Sequence, residues 1–165
     1  MADKPEPSSR SATIEDLKLV LRLLNEHQVD YLLIGGYAIT AHGFIRATTD
    51  IDILVPTTVE NGEKVKRALL LLPQGVSSEI DVDWFKDGDT IRVADAFVVD
   101  VMFNACGETF ESLLPEMEMT ELDGIPVRTI SLEGLLRTKQ TVREKDIVDR
   151  IVLERAIARM KATKS

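Results

Sequence analysis

Leu32-Leu33-Ile34-Gly35-Gly36-Tyr37-Ala38-Ile39-Thr40-Ala41-His42-Gly43-Phe44-Ile45-Arg46-Ala47-Thr48-Thr49-Asp50-Ile51-Asp52-Ile53-Leu54-Val55 reads as an apolar strand, a glycine turn, a short helix with a glycine stop, and a second apolar strand that opens on two aspartates. Side chains alternate along a strand, so Asp50 and Asp52 project from one face while Ile51, Ile53 and Val55 can be buried on the other. Carboxylates this close repel and raise each other's pKa unless a cation lies between them. Mg²⁺ takes oxygen ligands and favours one or two carboxylates together with substrate phosphates, so the pair reads as a hard-cation site, with Mn²⁺ as the alternative ion.

The glycines supply the other half of a phosphate site. Gly35 and Gly36 let the backbone approach a ligand, and a helix starting near Tyr37 offers unpaired N–H groups and a positive dipole end to an anion. Gly35, Gly36 and Tyr37 are therefore candidate nucleotide-binding residues. A lone Gly-Gly is more often a plain turn, and a lone Asp-x-Asp a solvated strand edge; the order of the two between hydrophobic strands carries the functional reading. Arg46, just before the carboxylate strand, can pair with phosphate or balance the acidic pair. Thr48 is a further candidate, with support of its loop as the simpler role. His42 has packing or capping as its simpler role, facing the nucleotide as the other.

This run resembles the signature of the nucleotidyltransferase superfamily, in which a strand, a Gly-Gly helix start and an Asp-x-Asp strand recur. The spelling Arg46-x-Thr48-x-Asp50-Ile51-Asp52-Ile53 resembles the branch containing the AbiEii-type toxin nucleotidyltransferases of bacterial abortive-infection and toxin–antitoxin systems. The resemblance implies an α/β (α+β) minimal nucleotidyltransferase fold, a small mixed sheet backed by helices. It also implies transfer of NMP from an NTP to a hydroxyl acceptor.

Length and composition set the outer limits. With 165 residues the chain is expected to be one domain: a disordered lead-in over residues 1–12, the domain over 13–160 and a frayed tail over 161–165. A net charge of −8 argues against a broad non-specific nucleic-acid surface, though not against a small basic groove. Cys106 is the single cysteine, so no internal disulfide is possible, and it reads as an ordinary loop thiol. No apolar run approaches a membrane span and no signal-peptide pattern opens the chain, so a cytoplasmic protein with no membrane partner is expected.

Along the chain, Thr13 caps a helix with Ile14, Leu17, Val20, Leu21 and Leu24 at helical spacing. Another helix follows Pro56-Thr57-Thr58 and buries Val65, Ala68, Leu69 and Leu72. The run Glu79 to Phe85 holds a second Asp-x-Asp, Asp81 and Asp83. No glycine turn precedes it, so it reads as a decoy, a strand with Trp84 half-buried in a sheet and a hairpin tip over Lys86-Asp87-Gly88-Asp89. Ala96 to Phe103 is apolar on both faces apart from Asp100, and a carboxylate inside such a strand needs a cation or strong hydrogen-bond partner. The resemblance makes Asp100 the third carboxylate, a metal ligand beside Asp50 and Asp52; the alternative is a strand-end Asp satisfied by loop amides.

A hairpin is expected about Asp123-Gly124. The last part is helical, with Ser131 as a cap and Ile147, Ile151, Val152 or Leu153, and Ile157 turned inward. The segment Lys139-x-x-x-Arg143-x-Lys145-Asp146-x-x-Asp149 resembles the superfamily's C-terminal Lys and Lys-Asp motif. That likeness gives Lys139 the role of holding the triphosphate, with Asp146 and Asp149 orienting Lys139 or Arg143; the bland alternative is a snorkelling surface lysine.

The expected partners are an NTP and an acceptor that is an RNA 3′ end, a protein side chain or a small molecule such as an antibiotic. A homodimer or a cognate antitoxin is a further expected partner. A non-catalytic nucleotide-binding or antitoxin-like module is the alternative from another class.

Overall fold

The computed structural model describes residues 9–44 and 48–163; Arg46 lies outside the described residues. Helix α1 (Ile14–Glu26) opens on a reciprocal cap, in which the Thr13 hydroxyl accepts from the Asp16 amide and the Asp16 carboxylate accepts from the Thr13 amide. Leu17, Val20, Leu21 and Leu24 fall on one face and are fully buried. Strand β1 (Leu32–Ile34) runs straight into helix α2 (Gly35–Ala41), which starts two residues earlier than expected. Gly35 turns that corner at φ +76°, a conformation that costs a side-chain-bearing residue energy. Strand β2 (Ile51–Leu54) and helix α3 (Val59–Leu69), capped by Thr58, follow as expected.

The next segment departs from the expectation. Residues Val76–Glu79 form a turn of 3₁₀ helix and Trp84–Asp87 a short helix, α4, where a strand was expected. The Asp81 carboxylate accepts the Asp83 amide at 2.9 Å, a local bond that turns the chain into helix. Trp84 is consequently 44% exposed and in no sheet, and Gly88 ends α4 in the left-handed conformation rather than tipping a hairpin.

The hairpin lies one step later. Strands β3 (Ile91–Ala94) and β4 (Val98–Met102) are joined through Asp95, Ala96 and Phe97, so β4 begins at Val98 and not at Ala96. The buried Asp95 carboxylate accepts the amides of Gln74, Val76 and Ala96 and ties this turn to the end of α3. The sheet order is β1-β2-β4-β3, antiparallel except for the parallel β2–β4 pair.

Helix α5 (Phe110–Leu113) leads to a two-stranded ribbon, β5 (Met117–Leu122) and β6 (Ile125–Ile130), turning at Asp123-Gly124 as expected. Thr129 Oγ1 donates to the Leu33 carbonyl at 2.9 Å and fixes the ribbon against β1. Helix α6 (Leu132–Arg137) is capped by Ser131, and helix α7 (Glu144–Thr163) closes the described chain.

Three expectations are corrected at the ends of the chain. Residues 9–12 are docked rather than disordered: the Arg10 amide donates to Ala96, the Ala12 amide to Thr49, and the Tyr37 hydroxyl to the Ala12 carbonyl. Residues 161–163 are helical rather than frayed, while residues 1–8 and 164–165 lie outside the described residues. Helix α7 turns Asp146, Asp149, Leu153 and Ala156 inward and leaves Ile147 and Ile151 exposed, because a buried lysine draws the two aspartates to the core side. Among the described residues, no helix is long and apolar enough to cross a membrane.

Candidate active site

Parallel pairing of β2 and β4 sets Asp52 directly beside Asp100, and Asp50 precedes β2 by one residue. All three border one cavity of about 540 Å³. Its walls are Ile34 and Gly35 at the β1–α2 corner, Thr90 and Arg92 on the β3 side, Met102 at the end of β4 and Asn104, Ala105 and Cys106 beyond it; Thr138, Lys139, Thr141, Arg143 and Lys145 come from the α6–α7 segment. Asp81 and Asp83 are exposed and lie outside this lining, in keeping with their reading as a decoy.

Asp52 is the electrostatically strained member of the trio. Burial, then the charge of Asp100, pushes its carboxyl up to about 6, while Lys145 and Lys139 pull it back and Asp50 adds to the rise. Gly35 explains why the acid fits there at all, since a Cβ on Gly35 would land on Oδ2 of Asp52. Gly35→Ala is therefore expected to displace that carboxylate and to strain a left-handed backbone, lowering stability by roughly 1–3 kcal/mol in a urea titration.

The other sequence candidates separate. Gly36 does not border the cavity; a Cβ there would stand 2.7 Å from the Thr48 Cβ, so its bareness admits Thr48. Thr48 Oγ1 in turn donates to the Asp50 carbonyl at 3.3 Å, the loop-supporting role. Tyr37 is buried with its hydroxyl on Ala12, away from the cavity. His42 Nε2 lies 2.7 Å from the Ile130 carbonyl, in keeping with packing.

Lys139 is in the cavity wall but is not a free surface cation. Its side chain is 8% exposed, and its Nζ stands 3.0 Å from Asp149 and 3.7 Å from Asp146, both fully buried. Burial works against ionisation of Asp146, yet the Thr141 hydroxyl, Lys139 and Arg143 outweigh it and hold the carboxyl below its ordinary value. Arg150 Nη1 donates to the carbonyls of Lys139 and Thr141 and clamps the same segment. The segment is thus a rigid wall, from which the exposed Arg143 and Lys145 reach the cavity.

Arg92 and Cys106 are among the cavity residues that the sequence reading did not assign to the site. Arg92 donates from Nη2 to Asp50 at 2.9 Å and from Nε to Asp100 at 3.1 Å. Its signal was the alternation Ile91-Arg92-Val93, which becomes informative once the turn is placed at Asp95–Phe97 and Arg92 falls opposite Asp100. Cys106, at φ +53°, donates its thiol to the Thr138 carbonyl at 3.2 Å and borders the cavity, a placement that loop composition does not reveal.

Among the described residues, no three carboxylate, imidazole or thiol groups are grouped as a ready-made metal site. The donors are nonetheless three hard carboxylates, Asp50 just before β2, Asp52 on it and Asp100 opposite on β4, a set whose chemistry fits Mg²⁺. Four cations, Arg92, Lys139, Arg143 and Lys145, face those three carboxylates, so the acidity of the whole chain does not describe the cavity.

No family model and no curated relative matches the sequence. Solved structures do. The chain superposes with TM-score 0.53 on a candidate nucleotidyltransferase from Thermotoga maritima, at 16% identity over 92% of this chain and 90% of that one. The antibiotic-resistance factor ANT(2'')-Ia matches with TM-score 0.50, at 17% identity over 90% of this chain and 94% of that one. An antigenic nucleotidyltransferase-like protein from Paracoccidioides brasiliensis matches with TM-score 0.54, at 16% identity over 88% and 78% of the respective chains. Identities this low speak to architecture alone, and the architecture of this chain is the nucleotidyltransferase fold.

Proposed function

We propose that the protein transfers NMP from an NTP to a hydroxyl acceptor and releases pyrophosphate, in a reaction that depends on Mg²⁺, with Mn²⁺ as a substitute. The observation that carries this reading is the placement of Asp50, Asp52 and Asp100 on one cavity wall, facing the cations of the α6–α7 wall. The three aspartates would hold the ion, whose contribution when bound is to neutralise the triphosphate and polarise the α-phosphate.

Asp100 accepts the proton of the incoming hydroxyl as its oxygen attacks the α-phosphorus. The bond to the β-phosphate oxygen breaks, and pyrophosphate leaves toward Arg143 and Lys145, supported by Lys139 behind them. Gly35 alone of the glycine pair borders the cavity. Positioning and charge neutralisation carry such a transfer, so the protein need form no covalent intermediate.

The AbiEii-like spelling supports an RNA 3′ end or a protein side chain as acceptor, with a cognate antitoxin or a second copy as partner. A groove favours a second reading. Trp84, Asp87 and Asp89 line a space of about 300 Å³ that shares Thr90 and Arg92 with the lining of the catalytic cavity. An aromatic face beside two carboxylates suits a small, ring-bearing, positively charged hydroxyl compound better than a polyanion.

Purified protein is to be incubated with Mg²⁺, each of four α-labelled NTPs, and RNA, a protein lysate or an aminated polyol. Label is expected in one acceptor class, lost on addition of EDTA. Nucleotide binding without transfer to any of these would favour the non-catalytic binding module.

A further inference from the structure

We propose that Arg92 is an internal stand-in for the divalent ion, a positioning residue whose guanidinium fills the cation place between Asp50 and Asp100 and has to leave before an ion can bind. The inference rests on the metal-dependent reading above and concerns the same site. One guanidinium forks across two carboxylates, through Nη2 to Asp50 just before β2 and through Nε and Nη2 to Asp100 on β4. Those are two of the three oxygen donors that the ion would need. A divalent ion and the guanidinium draw on the same two carboxylate charges, and cations held this close repel each other, so the two compete.

Among the described residues, four cations line the cavity, and they differ in their freedom to yield. Lys139 is walled in against Asp146 and Asp149 and stays where it is. Arg92 stands on β3 with its side chain 60% exposed, so solvent can take up its charge when it swings away. Arg143 is paired with the buried Asp146, and Lys145 is exposed and acts on Asp52 by its charge.

Arg92 is thus the one cation of the four that both occupies the carboxylates and faces water. Its presence keeps the nucleotide-free trio from standing as bare like charges and lowers the affinity of the free protein for metal. An arriving triphosphate gives the released guanidinium a new anionic partner at the cavity mouth. Metal and nucleotide are therefore taken up together rather than metal first.

The test is Mn²⁺ binding to the nucleotide-free protein, followed by loss of the free-ion paramagnetic resonance signal. Wild type is compared with Arg92→Gln, Arg92→Lys and Asp52→Asn. Arg92→Gln is expected to bind Mn²⁺ about tenfold more tightly than wild type. Arg92→Lys, which keeps the charge but cannot fork, is expected to fall between them and decides the matter if the glutamine variant does not fold.

Equal or weaker binding by both Arg92 variants, with binding still abolished in Asp52→Asn, would overturn the inference and leave the metal reading standing. Absence of Mn²⁺ binding in every protein, with and without NTP, would overturn both.

Discussion

Asp52→Asn is expected to reduce NMP transfer by about a thousandfold or more while making the metal-free protein more stable. The variant keeps the shape of the side chain and removes a charge that burial and Asp100 oppose. A carboxyl pushed up to about 6 from 3.8 costs the folded state roughly 3 kcal/mol at neutral pH, of which the amide should recover about 1–2 kcal/mol. The sign is fixed by linkage. Because the folded value lies above the unfolded one, the cost is fully present above about pH 6 and fades as pH falls toward 4. Urea titrations should therefore show the advantage of Asp52→Asn over wild type at pH 7 shrinking by pH 4.5. A variant less stable than wild type at pH 7 would mean that the aspartate is structural.

Lys139→Met is expected to cost about 3–5 kcal/mol of stability, the largest loss of any single change considered for this chain. It takes one ammonium from between two fully buried carboxylates, Asp146 and Asp149, and leaves their charge to the remaining partners. Adding Asp149→Asn to the methionine variant should restore a large part of the loss, which a double-mutant cycle in urea would measure. Asp146 responds to pH in the opposite sense from Asp52. Held below its ordinary value, it contributes stability above the unfolded carboxyl value, which is lost as pH falls through the lower folded one. A loss below about 1 kcal/mol would show that the wall does not depend on this lysine.

Much of this was legible because the central run obeys local rules. Thr13, Thr58 and Ser131 cap where side-chain chemistry puts them, and Asp123-Gly124 turns its hairpin. Asp100 drew notice because a carboxylate inside an apolar strand demands an explanation, and it was the resemblance to the nucleotidyltransferases that set it beside Asp50 and Asp52. What stayed hidden depended on partners distant in sequence. Trp84 was read as a strand residue because Asp81 turning the chain locally leaves no periodic trace. Ile147 and Ile151 were read as inward because apolar periodicity counts side chains and not buried ion pairs, which here rotate α7 toward Lys139. Tyr37 looked like a helix start facing ligand, yet its hydroxyl was claimed by Ala12, in a segment expected to be disordered. The glycine pair divided for a similar reason: Gly35 makes room for Asp52 and Gly36 for Thr48, and only the three-dimensional neighbours tell them apart.

The parallel join between β2 and β4 also bears on the order in which the molecule assembles. Arg92 and Asp100 are only 8 residues apart and meet across a hairpin, whereas Arg92 and Asp50 are 42 apart. Closing the short loop costs less chain entropy than closing the long one, so the β3–β4 ribbon forms ahead of its union with β2. The acidic strand then arrives at a ribbon that already carries its own counterion. The guanidinium that bridges Asp50 and Asp100 in the finished protein is, during folding, the charge that lets the carboxylates of two distant segments be brought together.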